Sequence, residues 1–200
     1  MPKIQWKGGT LLGPVPAVLV SCGNGEESNV LTVAWTGILN SDPPKTYISV
    51  RPERYSHHLI RESGEFVLNL TTSDLVYATD FCGIKSGKNT DKAKETGLHY
   101  EPSSVVGCPS LRESPLALEC KVTDIVPLGS HDMFVADIKA VCVDETLVDE
   151  NGKLHLDRAH LLAYSHGEYF ALGKKLGKFG YSCSKTEKKR RRKKKNDSKK

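Results

Sequence analysis

No two of the six cysteines (Cys22, Cys82, Cys108, Cys120, Cys142 and Cys183) stand in a C-x-x-C spacing. A zinc ribbon, an iron–sulfur site and a disulfide scaffold are therefore not expected, and no metal ligands are assigned. Scattered single cysteines suit a reducing compartment, and the expected location is cytoplasmic. The seven histidines show no H-x-x-x-H pattern. No run approaches the ~20 apolar residues of a membrane span. The start, MPKIQWKGG, lacks the apolar stretch of a signal peptide. There is no G-x-S-x-G, no Walker loop and no G-x-G-x-x-G after a strand. Gly87 in Lys85-Ser86-Gly87-Lys88 resembles a phosphate loop only superficially, because the leading glycine and the following hydroxyl are missing. No internal repeat is present.

What is there is 200 residues, enough for one domain with or without a tail, and an apolar fraction of 38% that supplies a modest core. The net charge of +5 is unevenly placed. Residues Lys185 to Lys200 hold eleven Lys or Arg against two acids, so this stretch carries +9 and the rest of the chain −4. The reading is a mildly acidic globular domain over 1–183 and a disordered basic tail over 184–200. The tail is a solvated extension, or a segment that binds nucleic acid or an anionic membrane by phosphate neutralisation.

Short apolar runs rich in β-branched residues recur along the chain. Strands are predicted over Val15–Ser21, Val30–Trp35, Thr46–Val50, Glu65–Leu70, Ala117–Val126, Asp132–Val143 and His160–Tyr164. Turns are predicted at Gly23-Asn24-Gly25, Asn40–Pro44 and Asp149–Gly152. Ser56–Ser63 reads as a short helix capped by Ser56 and stopped by Gly64. Ser73–Cys82 and Lys92–Thr96 read as two more. Gly83–Asp91 reads as a polar loop, and Tyr169–Phe179 as at best an irregular short helix. Many short strands with few helices indicate a mainly β fold, an antiparallel barrel with short peripheral helices.

The richest stretch is Asn29–Ser56. Two apolar runs flank a turn, and Arg51-Pro52-Glu53-Arg54-Tyr55-Ser56 then opens a helix. Such a segment suits a ligand with a flat apolar part and an anionic end. Thr32, Trp35 and Thr36 would border the flat part, and Arg51, Arg54, Ser56 and helix-start N–H groups would hold the anion. On residues alone, a pair of core strands with an ordinary surface turn explains it as well.

Asn29-x-x-Thr32-x-Ala34-Trp35, Asp42-Pro43-Pro44 and Arg51-x-x-Arg54-Tyr55-Ser56 together resemble the flavin reductase-like family of FMN-binding split barrels, and within it the flavoredoxin branch. The resemblance continues in Gly64–Asn69, in Gly87-Lys88-x-x-Asp91-Lys92, in Gly129-Ser130-His131-Asp132-x-Phe134 and in Tyr169–Ser182, covering residues 8 to 183. It implies an antiparallel split β-barrel, bound FMN and a homodimer with flavin sites at the subunit interface. It implies that Asn29, Thr32, Ala34, Trp35 and Thr36 lie along the isoalloxazine and that Arg51, Arg54, Tyr55 and Ser56 meet the phosphate. It places Lys92 at the phosphate or the pyrimidine edge of the ring, although a lysine in a polar loop is otherwise an exposed charge. Tyr164 matches an aromatic position near the flavin. His131 matches a histidine on the nicotinamide side, where it would position substrate, since hydride transfer to flavin N5 needs no protein acid or base. The implied activity is that of an FMN-dependent oxidoreductase, passing reducing equivalents from NAD(P)H or a protein donor to flavin, ferric iron or another acceptor. The alternatives are an electron-transfer flavoprotein without NAD(P)H activity and a nucleic-acid module acting through the tail.

Overall fold

In the computed structural model, residues 1–184 are described; the expected disorder of the basic tail falls on 185–200, outside the described residues. The strands in chain order are β1 (Val15–Pro16), β2 (Val18–Cys22), β3 (Asn29–Val33), β4 (Thr36–Ser41), β5 (Pro44–Val50), β6 (Glu65–Leu70), β7 (Tyr100–Glu101), β8 (Ser110–Leu111), β9 (Leu116–Pro127), β10 (Asp132–Val143), β11 (Leu162–Ser165) and β12 (Glu168–Ala171). The helices are α1 (Tyr55–Ser63), α2 (Val76–Ile84) and α3 (Lys92–Thr96).

Seven strands form one antiparallel sheet in the order β3-β2-β6-β9-β10-β5-β4. That order puts β3 and β5 far apart, yet the Ser49 N–H donates to the Trp35 carbonyl at 2.9 Å. The sheet therefore curls back on itself, and the Ala34-Trp35 corner between β3 and β4 closes it. This is the expected mainly β, antiparallel split barrel. A satellite sheet, β1-β11-β12, lies beside it.

The period of two along the strands divides the side chains between two cores. Val18, Val20 and Cys22 of β2 point into the barrel with Phe66, Ile48 and Phe134. Leu19 and Val30 point outward and are covered by Ala78 and Cys82 of α2 and Ala93 of α3. All five residues of β2 are buried because both of its faces are covered. The cover of α2 and α3 on β3 matters for function, because it builds one wall of the cleft described below.

Three expectations are corrected. The hairpin around Asn40–Pro44 joins β4 to β5, not the Val30–Trp35 strand to β5. β4 escaped notice because Gly37 and Asn40 interrupt it and its last four residues are exposed, which removes the burial alternation. Ser56 does not cap α1. The helix begins one residue earlier, with Arg54 at the cap and no side-chain cap bond, while Ser56 is buried. Tyr169–Phe179 is not a helix. Its first part is β12, paired to β11 with Tyr164 opposite Tyr169. His166 and Gly167 turn the chain, with φ of 53° and 91°, the positive pair that a two-residue hairpin of matching twist requires. The helices themselves follow expectation: Gly64 and Gly97 end α1 and α3 in the left-handed region, and Asp91 caps α3 by accepting from the Lys94 N–H at 3.1 Å.

Candidate functional site

The residues from Asn29 to Ser56 come together where β3, the β5–α1 turn and the α2–α3 connection meet. Two adjoining cavities open there. One, of 490 Å³, is bounded by Arg51, Arg54, Tyr55 and Ser56 on one side and by Cys82, Gly83, Lys85, Ser86, Gly87 and Lys92 on the other, with Asn29 in its floor. The second, of 360 Å³, shares Leu31, Thr32, Arg51, Arg54 and Gly83 with it and continues along Ala34, Trp35, His131, Tyr164 and Tyr169. The result is one cleft with a cationic end and an aromatic end.

The cationic end is built by burial. Lys92 opens α3 and is only 4% exposed. Its Nζ donates to the Cys82 carbonyl at 3.2 Å. Burial lowers its pKa from the ordinary 10.5, and the nearby Arg54 guanidinium lowers it further, against the opposing pull of Cys82 and Cys22. An ammonium so placed is stabilised by an anion in the cavity. Arg51 and Arg54 are exposed at the rim, and only a loose contact at 3.9 Å joins Arg51 to Glu53. Ser56 accepts from the Asn29 amide at 2.6 Å and is also hydrogen-bonded to the Cys22 thiol, which fixes its hydroxyl at the base of the cationic end. Cys22 and Cys82 sit beside Lys92, but burial pushes both thiols up to about 11, which makes them poor nucleophiles at neutral pH.

Gly87 is the tightest point of this end. A Cβ there would stand 2.2 Å from the Asn29 amide oxygen. The loop thus lies directly against the side chain that bonds Ser56, and no larger residue fits without breaking that arrangement. Gly83 does the same on a milder scale, with a Cβ position 3.3 Å from the Thr32 Cβ. The Thr32 hydroxyl is spent on the Thr79 carbonyl, so this residue offers backbone and methyl to the cleft.

At the aromatic end, Trp35 is 37% exposed and lines the cavity. Tyr164 and Tyr169 stack obliquely with centroids 5.5 Å apart. The Tyr169 hydroxyl donates to Asp80 at 3.3 Å, and burial together with that carboxylate raises its pKa to about 12. His131 lines the cavity, with Nδ1 2.9 Å from the Ser130 hydroxyl.

Eleven of the twelve residues singled out from sequence border this cleft: Asn29, Thr32, Ala34, Trp35, Arg51, Arg54, Tyr55, Ser56, Lys92, His131 and Tyr164. The exception is Thr36. It is buried in the sheet, and its hydroxyl donates to the Tyr47 carbonyl at 2.6 Å. Of the polar loop expected over Gly83–Asp91, Gly83 and Ile84 are the end of α2, and Gly83 and Lys85 to Gly87 form a wall of the cleft. The signal for it was the glycine spacing, since two glycines four apart permit close backbone approach.

A family model described as the flavin reductase like domain matches residues 12–173. The chain belongs to the flavin reductase-like family. An uncharacterised protein of Pyrococcus abyssi is 31% identical over 170 residues, covering 85% of this chain and 97% of that one. The NADPH-flavin oxidoreductase of Streptomyces viridifaciens is 28% identical over 150 residues, 71% of this chain and 74% of that protein. Among known structures, the flavoredoxin of Desulfovibrio vulgaris (Miyazaki F) superposes with a TM-score of 0.85 at 30% identity, over 92% of this chain and all of that one. The cleft is therefore the place to look for the chemistry of a flavin reductase-like protein. Among the described residues, no helix is long and apolar enough to cross a membrane, and no group of three or more His, Cys, Asp or Glu is placed to hold a metal.

Proposed function

We propose that this flavin reductase-like chain binds FMN in the cleft and is an oxidoreductase that passes reducing equivalents from NAD(P)H, or from a protein donor, to flavin, ferric iron or another acceptor. The observation that carries the proposal is the buried Lys92 ammonium, facing two guanidinium groups across a cavity that runs on into an aromatic-walled one. A phosphate of about two negative charges fits the cationic end, and a tricyclic ring fits the other.

Each residue has a part in this reading. Arg51 and Arg54 fork onto phosphate oxygens, Ser56 forms the base beneath them, and Lys92 supplies the charge that solvent cannot screen. Asn29 fixes Ser56, Tyr55 packs the turn onto the barrel core, and Gly87 lets the loop close over it. Trp35 and Tyr164 wall the ring, with Thr32 and Ala34 at its edge. Bound FMN would supply the hydride-accepting ring. His131, whose Nε2 has no hydrogen bond among the described residues, orients a nicotinamide at the outer rim. Thr36 serves the site only by holding the β4–β5 hairpin on which Trp35 rests.

The donor decides between two readings. The likeness to a flavoredoxin at TM-score 0.85 favours an electron-transfer flavoprotein without nicotinamide activity, and the likeness to an NADPH-flavin oxidoreductase favours an enzyme. Anaerobic mixing with NADH and with NADPH separates them: bleaching of the flavin band by either supports the enzyme, and no bleaching by both leaves the carrier. We further propose a homodimer in a reducing, cytoplasmic setting, to which the exposed Trp35, Ile38 and Leu39 and the six free cysteines are suited. Residues 1–183 form the flavin-binding unit in this proposal, and truncation after Cys183 leaves FMN uptake intact. Nucleic-acid binding through the basic tail rests on residues outside those described; a gel shift that survives the truncation would exclude it.

A further inference from the structure

Behind the cationic end, lining neither cavity of the cleft, lies a buried polar pair. His57 Nε2 and Asp132 Oδ2 are 2.9 Å apart, a hydrogen bond in which the carboxylate accepts, and the histidine is only 7% exposed. His57 stands on the first turn of α1, and Asp132 opens β10, 75 residues further on. Phe134, two residues along β10, faces the same side and meets the same imidazole edge-on, with centroids 5.2 Å apart. His58, by contrast, is exposed.

Both partners are also tied to the arginine turn through the backbone. The His57 N–H donates to the Arg54 carbonyl at 2.9 Å, and the Arg54 N–H donates to the Arg51 carbonyl at 3.0 Å. Asp132 pairs in the sheet with Val50, the residue before Arg51. The chain therefore leaves the barrel beside Asp132, turns through Arg51–Arg54 and enters α1 at His57. The side-chain bond closes the base of that loop. Packing does not require a polar pair here. Leu59, Ile60 and Phe134 form an apolar core beneath α1, and leucines in place of the pair would hold the helix down without desolvating a carboxylate and an imidazole. What a hydrogen bond adds to packing is a set length and direction. Arg51 and Arg54 are exposed and have only the loose Glu53 contact, so their aim depends on the backbone that carries them.

We propose that His57 and Asp132 are positioning residues for the flavin phosphate: their hydrogen bond sets the arginine turn so that Arg51 and Arg54 converge on one anion, and it thereby determines how strongly the cleft prefers a phosphorylated flavin to an unphosphorylated one. The proposal rests on the reading that the cleft seats FMN with its phosphate at the cationic end. The ring end is walled mainly by β3, the Trp35 corner, α2 and the β11–β12 hairpin, so binding of the ring depends little on this bond.

The affinities of full-length, flavin-stripped protein for FMN and for riboflavin, measured by fluorescence titration, give a ratio that reports the phosphate alone. His57→Gln keeps an N–H donor near the place of Nε2, and His57→Met, of similar length, has none. Methionine leaves the Asp132 carboxylate buried without its partner, so the double variant His57→Leu/Asp132→Leu, which removes both groups together, is measured beside it. In these two unbonded variants the FMN-over-riboflavin ratio is expected to fall about five- to tenfold, the loss of one well-aligned hydrogen bond to the phosphate. In His57→Gln it is expected to stay within about twofold of the native ratio. Circular dichroism scores folding separately. An unbonded variant that folds and keeps the native ratio, equal losses for FMN and riboflavin, or a His57→Gln variant as impaired as the unbonded ones would each overturn the inference. So would failure of both unbonded variants to fold, because the pair would then be a structural prop. Native protein that takes up neither flavin would instead overturn the reading of the cleft.

Discussion

Replacing Lys92 by methionine separates ligand binding from folding. The side chain is nearly fully buried, so its ammonium is held away from water with one hydrogen bond, to the Cys82 carbonyl. Burial has already lowered its pKa from 10.5, which means the charged form is disfavoured in the folded, ligand-free chain. A neutral side chain of similar length removes that strain, and the melting temperature of the FMN-free protein is expected to hold or rise. The bound state changes in the opposite direction. A hydrogen bond to a charged group is worth about 1.5–3 kcal/mol, so FMN affinity is expected to fall about 10- to 150-fold at one decade per about 1.4 kcal/mol. Riboflavin, which has the ring but no phosphate, is expected to lose far less if Lys92 meets the phosphate. Fluorescence titration with both flavins, paired with a thermal melt of the flavin-free protein, measures all three quantities. A methionine variant that melts much lower yet binds FMN normally would refute the reasoning, because it would make Lys92 a structural cation. The native lysine carries a pH signature as well. Its lowered pKa gives a stabilising contribution that is present above the unfolded value of 10.5 and is lost as pH falls through the folded value. Flavin binding runs the other way, weakening as pH rises toward 10.5 and the ammonium is titrated.

Further outcomes follow from other parts of the structure. Gly87→Ala drives a methyl group into the Asn29 amide and is expected to abolish measurable FMN uptake while leaving the barrel folded, as read by circular dichroism. Glu119 is buried; burial would raise its pKa, but bonds from the Ser104 and Val105 N–H groups at 2.8 and 2.7 Å, with the Ser104 hydroxyl and the Cys142 thiol, outweigh it and leave the carboxyl below 4.5. Glu119→Gln should cost about 3 kcal/mol in a denaturant melt. The native chain should also lose stability as pH falls below 4.5 through that lowered value, a loss the glutamine variant lacks. Arg54→Ala is expected to weaken FMN binding by about tenfold and to raise the Lys92 pKa, since one neighbouring cation is gone; the pH dependence of flavin binding reads that second effect.

Most of the cleft was legible through the resemblance of its motifs to the flavin reductase-like family; on residues alone, a pair of core strands with a surface turn explained the stretch as well. Two arginines and a serine after a β-branched strand suggested the turn that lines the cationic end of the cleft. What was not legible depended on packing between distant segments. Nothing near Lys92 in the sequence says it is buried; its cover comes from α2, whose Cys82 carbonyl lies ten residues away, and from the far more distant β3. Ser56 looked like a helix cap because serine commonly is one, but the demand of Asn29 from β3 pulled it inward. Thr36 sits one residue beyond Trp35, and in an extended strand that single step sends its hydroxyl to the opposite face, toward Tyr47. β4 was lost because an exposed edge strand has no burial alternation to read, and β12 because two later glycines imitated an irregular helix.

The most direct test of the central claim is flavin uptake. Purified, flavin-stripped chain is mixed with excess FMN, freed of unbound flavin by gel filtration, and its visible spectrum recorded. The account predicts a yellow protein with stoichiometric FMN, lost on Gly87→Ala. Colourless protein after that treatment would contradict it.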